Sequence, residues 1–170
     1  MSDTSRPATL DDLKALLRAL EAHGADYLLI GGYALAAHGY QRATTDIDLL
    51  VPANAQAGER LRAALLTLPD RAAADLEPVW LEEGDNIRIA DAFVVDVMVN
   101  ANGQTYESLR PHEQRLDLDG VPVRTLDLPG LLLTKQTPRE KDAADRIILE
   151  RAIQAMHDAV RAEPGDLTAP

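Results

Sequence analysis

The 170-residue chain is long enough for one domain with one core, and its 46% hydrophobic and 26% charged residues exclude a disordered protein. The net charge of -11 disfavours a broad nucleic-acid interface, because such a surface repels phosphate backbones. Since the chain has no cysteine, disulfides and thiolate zinc sites are excluded, and a reducing compartment is the simplest expectation.

The N-terminal stretch MSDTSRPATL lacks the basic start and the apolar run of a signal peptide. No later stretch approaches the roughly 20 apolar residues that a membrane helix needs. We therefore expect a cytoplasmic protein with no membrane partner. We also expect one domain over residues 1–163, followed by a flexible tail at residues 164–170.

The first half of the chain predicts alternating helices and strands. Leucines at helical spacing over residues 10–20 predict a helix that Thr9 caps and Gly24 ends. The next predicted elements are a strand at 26–31, a short helix at 33–39, a strand at 46–51 and a helix at 54–68.

The second half predicts more strands and then helices. Strands are expected at 79–81, 86–90 and 93–99, and the Asp119-Gly120 turn predicts a hairpin within 115–124. From residue 127 the pattern is helical, and a capping box at Thr137–Glu140 predicts a fresh helix there. The fold class is therefore α/β (α+β): a mixed β-sheet flanked by helices, with a core at 26–125 and C-terminal helices at 127–162.

Two glycines, Gly31 and Gly32, end an apolar strand and lead directly into the short helix. This arrangement aims free backbone N–H groups at one point, where the helix dipole favours an anion. Glycine also lets the chain approach a ligand closely. Taken alone, the pair favours an ordinary turn over a phosphate site, because glycine at turns is common.

Aspartates recur on the neighbouring strands. Asp46 and Asp48 are two apart and so face the same side of a strand, where they repel each other unless a cation lies between them. Asp96 lies inside FVVDVMV, where an ionised carboxylate is costly unless it is paired or metal-bound. Such oxygen ligands suit Mg²⁺ or Mn²⁺. The alternatives are a polar edge strand for the first pair and a salt bridge from Arg88 for Asp96.

The segment LLIGGYALAAHGYQRATTDIDLLV resembles the first motif of the DNA polymerase β-type nucleotidyltransferase superfamily. In that motif an apolar residue and Gly-Gly or Gly-Ser precede Asp-apolar-Asp by nine to thirteen residues, and here thirteen separate Gly32 from Asp46. Asp96 matches the family's third metal-site acid. The run R-x-T-x-D-x-D, which starts at Arg42 and includes Thr44, is similar to the AbiEii-like subgroup of type IV toxin–antitoxin nucleotidyltransferases. The later LLLTKQTPREKDAADRIIL is similar to the same subgroup.

The resemblance implies a nucleotidyltransferase fold and an enzyme that moves a nucleoside monophosphate from a triphosphate to a hydroxyl acceptor and releases pyrophosphate. It implies that Asp46, Asp48 and Asp96 are catalytic and hold Mg²⁺ (or Mn²⁺). The implied nucleotide-binding residues are Gly31, Gly32, Tyr33, Arg42, Thr44, Lys135, Lys141 and Asp142. The implied acceptor is a tRNA end, a protein hydroxyl or a small molecule, and a cognate toxin or antitoxin is a further possible partner.

Other interpretations stay open. A degenerate domain of this kind would bind a nucleotide or a partner protein without catalysis. Asp-x-Asp also occurs as a metal site of glycosyltransferases and phosphatases, although the upstream glycine pair argues against that interpretation. The charges at residues 141–146 equally suit an ordinary solvated helix face. The aromatic residues near the motifs, Tyr33, Tyr40 and Trp80, suit either base stacking or the core.

Overall fold

The computed structural model describes residues 5–40, 44–137 and 139–162, without the side chains of Glu140, Lys141 and Ala162. The α-helices are α1 (Leu10–Ala22), α2 (Gly31–Ala37), α3 (Ala55–Leu65), α4 (Val79–Glu82), α5 (Leu128–Leu133) and α6 (Glu140–Ala162). The strands are β1 (Leu28–Ile30), β2 (Ile47–Leu50), β3 (Ile87–Ala90), β4 (Val94–Met98), β5 (Glu113–Leu118) and β6 (Val121–Leu126). Short 3₁₀ helices lie at Ala72–Asp75 and Arg110–His112.

The strands form a six-stranded sheet in the order β3-β4-β2-β1-β6-β5. The β2–β4 and β1–β6 pairs are parallel, whereas the β1–β2, β3–β4 and β5–β6 pairs are antiparallel. Helix α1 packs against α3 and β6, and its leucines Leu13, Leu16, Leu17 and Leu20 are fully buried. The mixed sheet flanked by helices, with helices at the C-terminal end, is therefore confirmed.

Local sequence signals fix several element ends as predicted. Thr9 and Asp12 form a reciprocal capping box at the start of α1, and Gly24 follows that helix with φ 63°. The Asp119-Gly120 turn has φ of 51° and 88°, which allows a tight two-residue connection between β5 and β6. Asp127 caps α5 by accepting a hydrogen bond from the Gly130 N–H.

The strand predicted at residues 79–81 is wrong, because these residues form the single-turn helix α4. Pro78 has φ -54°, which suits the start of a helix. Leu81 is fully buried while Val79 is exposed, so one side chain of the turn is fixed in the core. Three consecutive apolar residues are too short a run to distinguish a strand from a buried helical turn.

The C-terminal helix begins at Glu140, three residues after the Thr137 at which the capping box was predicted to start it. The tail predicted at 164–170 lies outside the described residues. Among the helices of the described chain, none combines the length and apolar composition that a membrane crossing requires.

Candidate active site

Three aspartates lie at the middle of the sheet. Asp48 is in β2 and Asp96 is in β4, and the parallel register places them directly beside each other. Asp46 immediately precedes β2. All three side chains are partly buried, whereas Ile47, between the two acids of β2, is fully buried in the core. The prediction that Asp46 and Asp48 share a face is consistent with this alternation.

Gly31 lies against the carboxylate of Asp48. Its φ is 75°, and a Cβ built on it would lie 2.2 Å from Asp48 Oδ2 and 3.1 Å from Asp48 Cγ. Any side chain at residue 31 would therefore strain the backbone and collide with a carboxylate. This close approach gives Gly31 a physical role besides the predicted phosphate contact.

Gly31→Ala is expected to destabilise the protein by about 2 to 4 kcal/mol, because backbone strain and overpacking add. Gly39→Ala is the matched control, since Gly39 has φ 93° and a Cβ there would have nothing within 4 Å. The control is expected to lose only about 1 to 2 kcal/mol. Urea unfolding of both variants measures these losses in the free energy of unfolding. Combining Gly31→Ala with Asp48→Ala removes the colliding carboxylate and so isolates the part of the loss that the collision causes. An equal loss at both glycines would contradict it.

Arg88 joins two of the three aspartates. It lies directly opposite Asp96 in the antiparallel β3–β4 register. Its Nη2 is 3.3 Å from Asp46 Oδ2, and its Nη1 is 3.3 Å from Asp96 Oδ1. The salt bridge that the sequence left open for Asp96 is therefore present, and it extends to Asp46. The Arg88 side chain is 56% exposed, and an ion pair this exposed is weak and easily broken.

The aspartates supply a donor set that fits a hard divalent cation, because their carboxylate oxygens are the ligands that Mg²⁺ and Mn²⁺ prefer. Asp46 and Asp96 already converge on one cation, the guanidinium of Arg88. Among the described residues, no three acidic or histidine side chains lie close enough together to form a ready metal centre. A metal ion that bound both Asp46 and Asp96 would have to compete with the Arg88 guanidinium, whose side chain is 56% exposed.

A second charged cluster lies between α5 and α6. Lys135 Nζ is 3.2 Å from Asp142 Oδ1 and 3.1 Å from Asp145 Oδ2. Both acids are buried, and the Thr137 hydroxyl donates a hydrogen bond to Asp142. The solvated helix face considered for residues 141–146 is therefore wrong at Asp142 and Asp145. Packing of α6 against α5 turns these acids towards Lys135 and away from water.

The ion pairs keep Asp142 charged. Burial by itself raises the pKa of Asp142, but hydrogen bonds from Thr137 and Lys135 outweigh that effect and hold the pKa below its usual value. Arg146 fixes the same loop, because its Nη1 donates to the carbonyl oxygens of Lys135 and Thr137, both at 2.6 Å. The sequence had indicated no role for Arg146 at the site. Its position four residues after Asp142, on the same helix face, was the available signal.

A cavity of about 400 Å³ lies between Asp48 and Asp96 on one side and the Lys135 cluster on the other, and Asp46 is not among its lining residues. One wall comes from the sheet and carries Gly31, Asp48, Arg88 and Asp96. The opposite wall comes from the α5–α6 connection, which carries Thr134, Lys135, Thr137 and Arg139, and from the first turn of α6, which carries Asp142. Three asparagines that the sequence analysis missed, Asn86, Asn100 and Asn102, also line the cavity. The structure therefore brings Asp48, Asp96, Lys135 and Asp142 to one cavity.

The remaining site predictions have different outcomes. Thr44 donates a hydrogen bond to the backbone oxygen of Asp46 at 3.5 Å, so it braces the loop before β2. Tyr33 packs in the core, where its hydroxyl donates to the Ala8 carbonyl, and it is not among the residues that line the cavity. Gly32 is buried in the first turn of α2. Arg42 and the Lys141 side chain lie outside the described part of the chain.

The fold is similar to a solved structure of a proposed nucleotidyltransferase (TM1012) from Thermotoga maritima. The TM-score is 0.51 and the sequence identity is 12%, and the match covers 92% of this chain and 92% of that protein. No protein-family model matches the sequence, and no curated protein matches it. At such identity the likeness shows the fold alone, and it confirms the predicted nucleotidyltransferase-like fold class. The AbiEii-like subgroup stays a prediction.

Proposed function

We propose that the chain is a Mg²⁺- or Mn²⁺-dependent nucleotidyltransferase. The observation that carries the proposal is the cavity with Asp48 and Asp96 on one wall and the basic side chains of Lys135 and Arg139 on the other. Carboxylates suit the metal of a metal–nucleotide complex, and cations suit its phosphates. A fold shared with a proposed nucleotidyltransferase supports the same conclusion.

The charges of the cavity favour a nucleotide that arrives with its own cation. Three acids and three bases are present among its described lining residues: Asp48, Asp96, Asp142, Arg88, Lys135 and Arg139. The whole chain carries a net charge of -11. A bare triphosphate would meet no net positive charge in this cavity, whereas a metal–triphosphate complex carries less negative charge and offers its cation to the aspartates.

The proposed reaction transfers a nucleotidyl group to an acceptor hydroxyl. Asp46, Asp48 and Asp96 would hold the divalent ion once Arg88 has left them, and the ion would supply stabilisation of the negative charge on the phosphate oxygens. We assign the phosphate contacts to the backbone N–H groups of Gly31, which lines the cavity, and of Gly32, which follows it in α2. The acceptor oxygen bonds to the α-phosphorus as its proton passes to the Asp96 carboxylate, and the bond from the α-phosphorus to the bridging oxygen breaks to release pyrophosphate.

On the phosphate side, Arg139 offers its guanidinium to the triphosphate. Its side chain is exposed at the cavity, and no ion pair joins it to another described residue within 4 Å. Lys135 is already held by two carboxylates, so its remaining hydrogen positions the triphosphate as one contact among several. Its cluster also fixes the wall of the cavity.

The test is incubation of the purified chain with Mn²⁺ or Mg²⁺ and each α-³²P-labelled nucleoside triphosphate, in the presence of its native cell extract as a source of acceptors. Label transferred to any acceptor, with stoichiometric pyrophosphate, is the expected result. Triphosphate binding without label transfer to any acceptor would overturn the proposed activity.

A non-catalytic domain that binds a nucleotide or a partner protein is the second candidate. The Arg88 salt bridges favour it, because they neutralise carboxylates that the proposed catalysis needs. Nucleotide affinity separates the two candidates. The enzyme requires tighter triphosphate binding when a divalent ion is present, whereas a binding domain whose acids stay paired with Arg88 does not. The candidate acceptors and a role in a toxin–antitoxin pair stay predictions from the sequence.

A further inference from the structure

We propose that Arg88 makes binding of the divalent ion depend on the nucleotide. In the nucleotide-free protein the guanidinium holds the place of the cation between the aspartates. When a metal–nucleotide complex enters the cavity, Arg88 gives up the carboxylates and contacts the phosphates. The inference rests on the proposed function, since it assigns a positioning role at the same site.

In the nucleotide-free protein, the strand register places Arg88 beside the aspartates. Arg88 and Asp96 are directly opposite on β3 and β4, and Asp96 is beside Asp48 on β2. Side chains of directly paired residues project from the same face of a sheet. A long side chain on β3 can therefore reach across β4 towards β2, and the contact from Arg88 Nη2 to Asp46 Oδ2 at 3.3 Å confirms that it does.

Electrostatics explain why a cation is needed there. Neighbouring carboxylates on one face repel each other unless a positive charge lies between them. The guanidinium supplies one positive charge and contacts both oxygens of Asp96 at 3.3 Å. A divalent ion that binds these acids must displace that charge, so Arg88 weakens binding of the free ion.

In the nucleotide-bound protein, the proposed place of the Arg88 guanidinium is at the phosphates within the cavity. The residue lines the same cavity as Lys135 and Arg139. Lys135 already pairs with two buried acids, so most of its charge is compensated within its own cluster. A guanidinium is better suited than an ammonium to two-point contact with phosphate. A triphosphate in the cavity therefore offers its phosphate oxygens to Arg88 when the metal ion binds the carboxylates of Asp46 and Asp96.

The experiment measures Mn²⁺ binding by electron paramagnetic resonance, with and without the non-hydrolysable α,β-methylene analogues of the four nucleoside triphosphates. In wild-type protein the analogue is expected to tighten Mn²⁺ binding by about tenfold or more. Arg88→Gln is expected to tighten binding of Mn²⁺ alone by at least about fivefold and to weaken binding of the analogue by a similar factor. Arg88→Lys keeps the charge but not the two-point geometry. Its affinities for Mn²⁺ and for the analogue are expected to lie between those of wild type and those of Arg88→Gln.

Arg60→Gln is the matched control, because Arg60 forms an exposed ion pair with Asp26 at 3.4 Å that is remote from the cavity. It is expected to bind Mn²⁺ and analogue as wild type does. If Arg88→Gln binds Mn²⁺ no more tightly than wild type, the role of Arg88 is overturned while the proposed function stands. If neither wild type nor Arg88→Gln binds Mn²⁺, even with an analogue, the proposed function is overturned and the inference with it.

Discussion

Asp48→Asn is expected to lower nucleotidyl transfer by about 100- to 1,000-fold, the range typical of losing one group that stabilises transition-state charge. Asp48 is the central acid of the site: it lies beside Asp96 in the parallel register and against Gly31. The amide keeps the size of the side chain but removes the charge that holds the metal. The label-transfer assay, normalised to the folded fraction measured by circular dichroism, gives the loss.

Asp119→Asn is the control for the same chemical change elsewhere. Asp119 lies in the β5–β6 hairpin turn, its side chain is 69% exposed, and asparagine is equally suited to that turn. This variant is expected to transfer label as wild type does. Transfer by Asp48→Asn within about twofold of the control would show that the aspartate does not act in catalysis, since a catalytic contact contributes far more.

Lys135→Met is expected to destabilise the fold by about 3 to 5 kcal/mol, because removing one partner leaves the others as uncompensated buried charges. Asp142 is 3% exposed and Asp145 is 0% exposed, and both are within 3.2 Å of the ammonium. Methionine keeps the length and the apolar stem of lysine, so the charge is the main change. Urea unfolding at neutral pH measures the loss.

Lys14→Met is the matched control, because the partner of Lys14, Asp119, is exposed on the hairpin at 3.0 Å. Breaking that pair is expected to cost less than about 1 kcal/mol. A similar loss in both variants would contradict the buried-charge explanation.

The pH dependence of the Lys135→Met deficit is a second readout of the same variant. In wild type the pKa of Asp142 lies below its usual value, so its stabilising contribution is complete above that usual value and is lost as pH falls through the lower native one. Without the ammonium, burial is expected to raise the native pKa of Asp142, so the deficit should be largest near neutral pH and shrink in acid. An equal deficit at pH 7.5 and at pH 5 would contradict this account.

The sequence predicted the acidic face because strand side chains alternate with a period of two, which needs no tertiary information. It did not predict that Asp48 and Asp96 are direct neighbours, since that pairing depends on β2 and β4 being adjacent although α3, α4 and β3 separate them in the chain. The sequence offers Arg88 as a candidate partner of Asp96 in the alternative to metal binding, but its contact with Asp46 depends on the reach and rotamer of a long side chain.

The errors have a common physical origin in tertiary packing. Asp142 and Asp145 were placed on a possible solvated face because spacing within one helix says nothing about the neighbour that covers it, here α5 with Lys135. The apolar run at Val79 predicts a strand but forms a helical turn, and three residues carry no reliable period to distinguish the two. The phosphate contact predicted for Gly31 stays a prediction, whereas its close approach to the Asp48 carboxylate depends on tertiary structure.

A crystal structure of the chain with Mn²⁺ and α,β-methylene-ATP tests the central claim most directly, because the anomalous signal locates manganese independently of the protein. The account predicts manganese in coordination with carboxylate oxygens of Asp48 and Asp96, and an Arg88 guanidinium that has left Asp46 for the phosphates. A nucleotide bound in the cavity with Arg88 still joining Asp46 to Asp96, and no manganese at these acids, would contradict it.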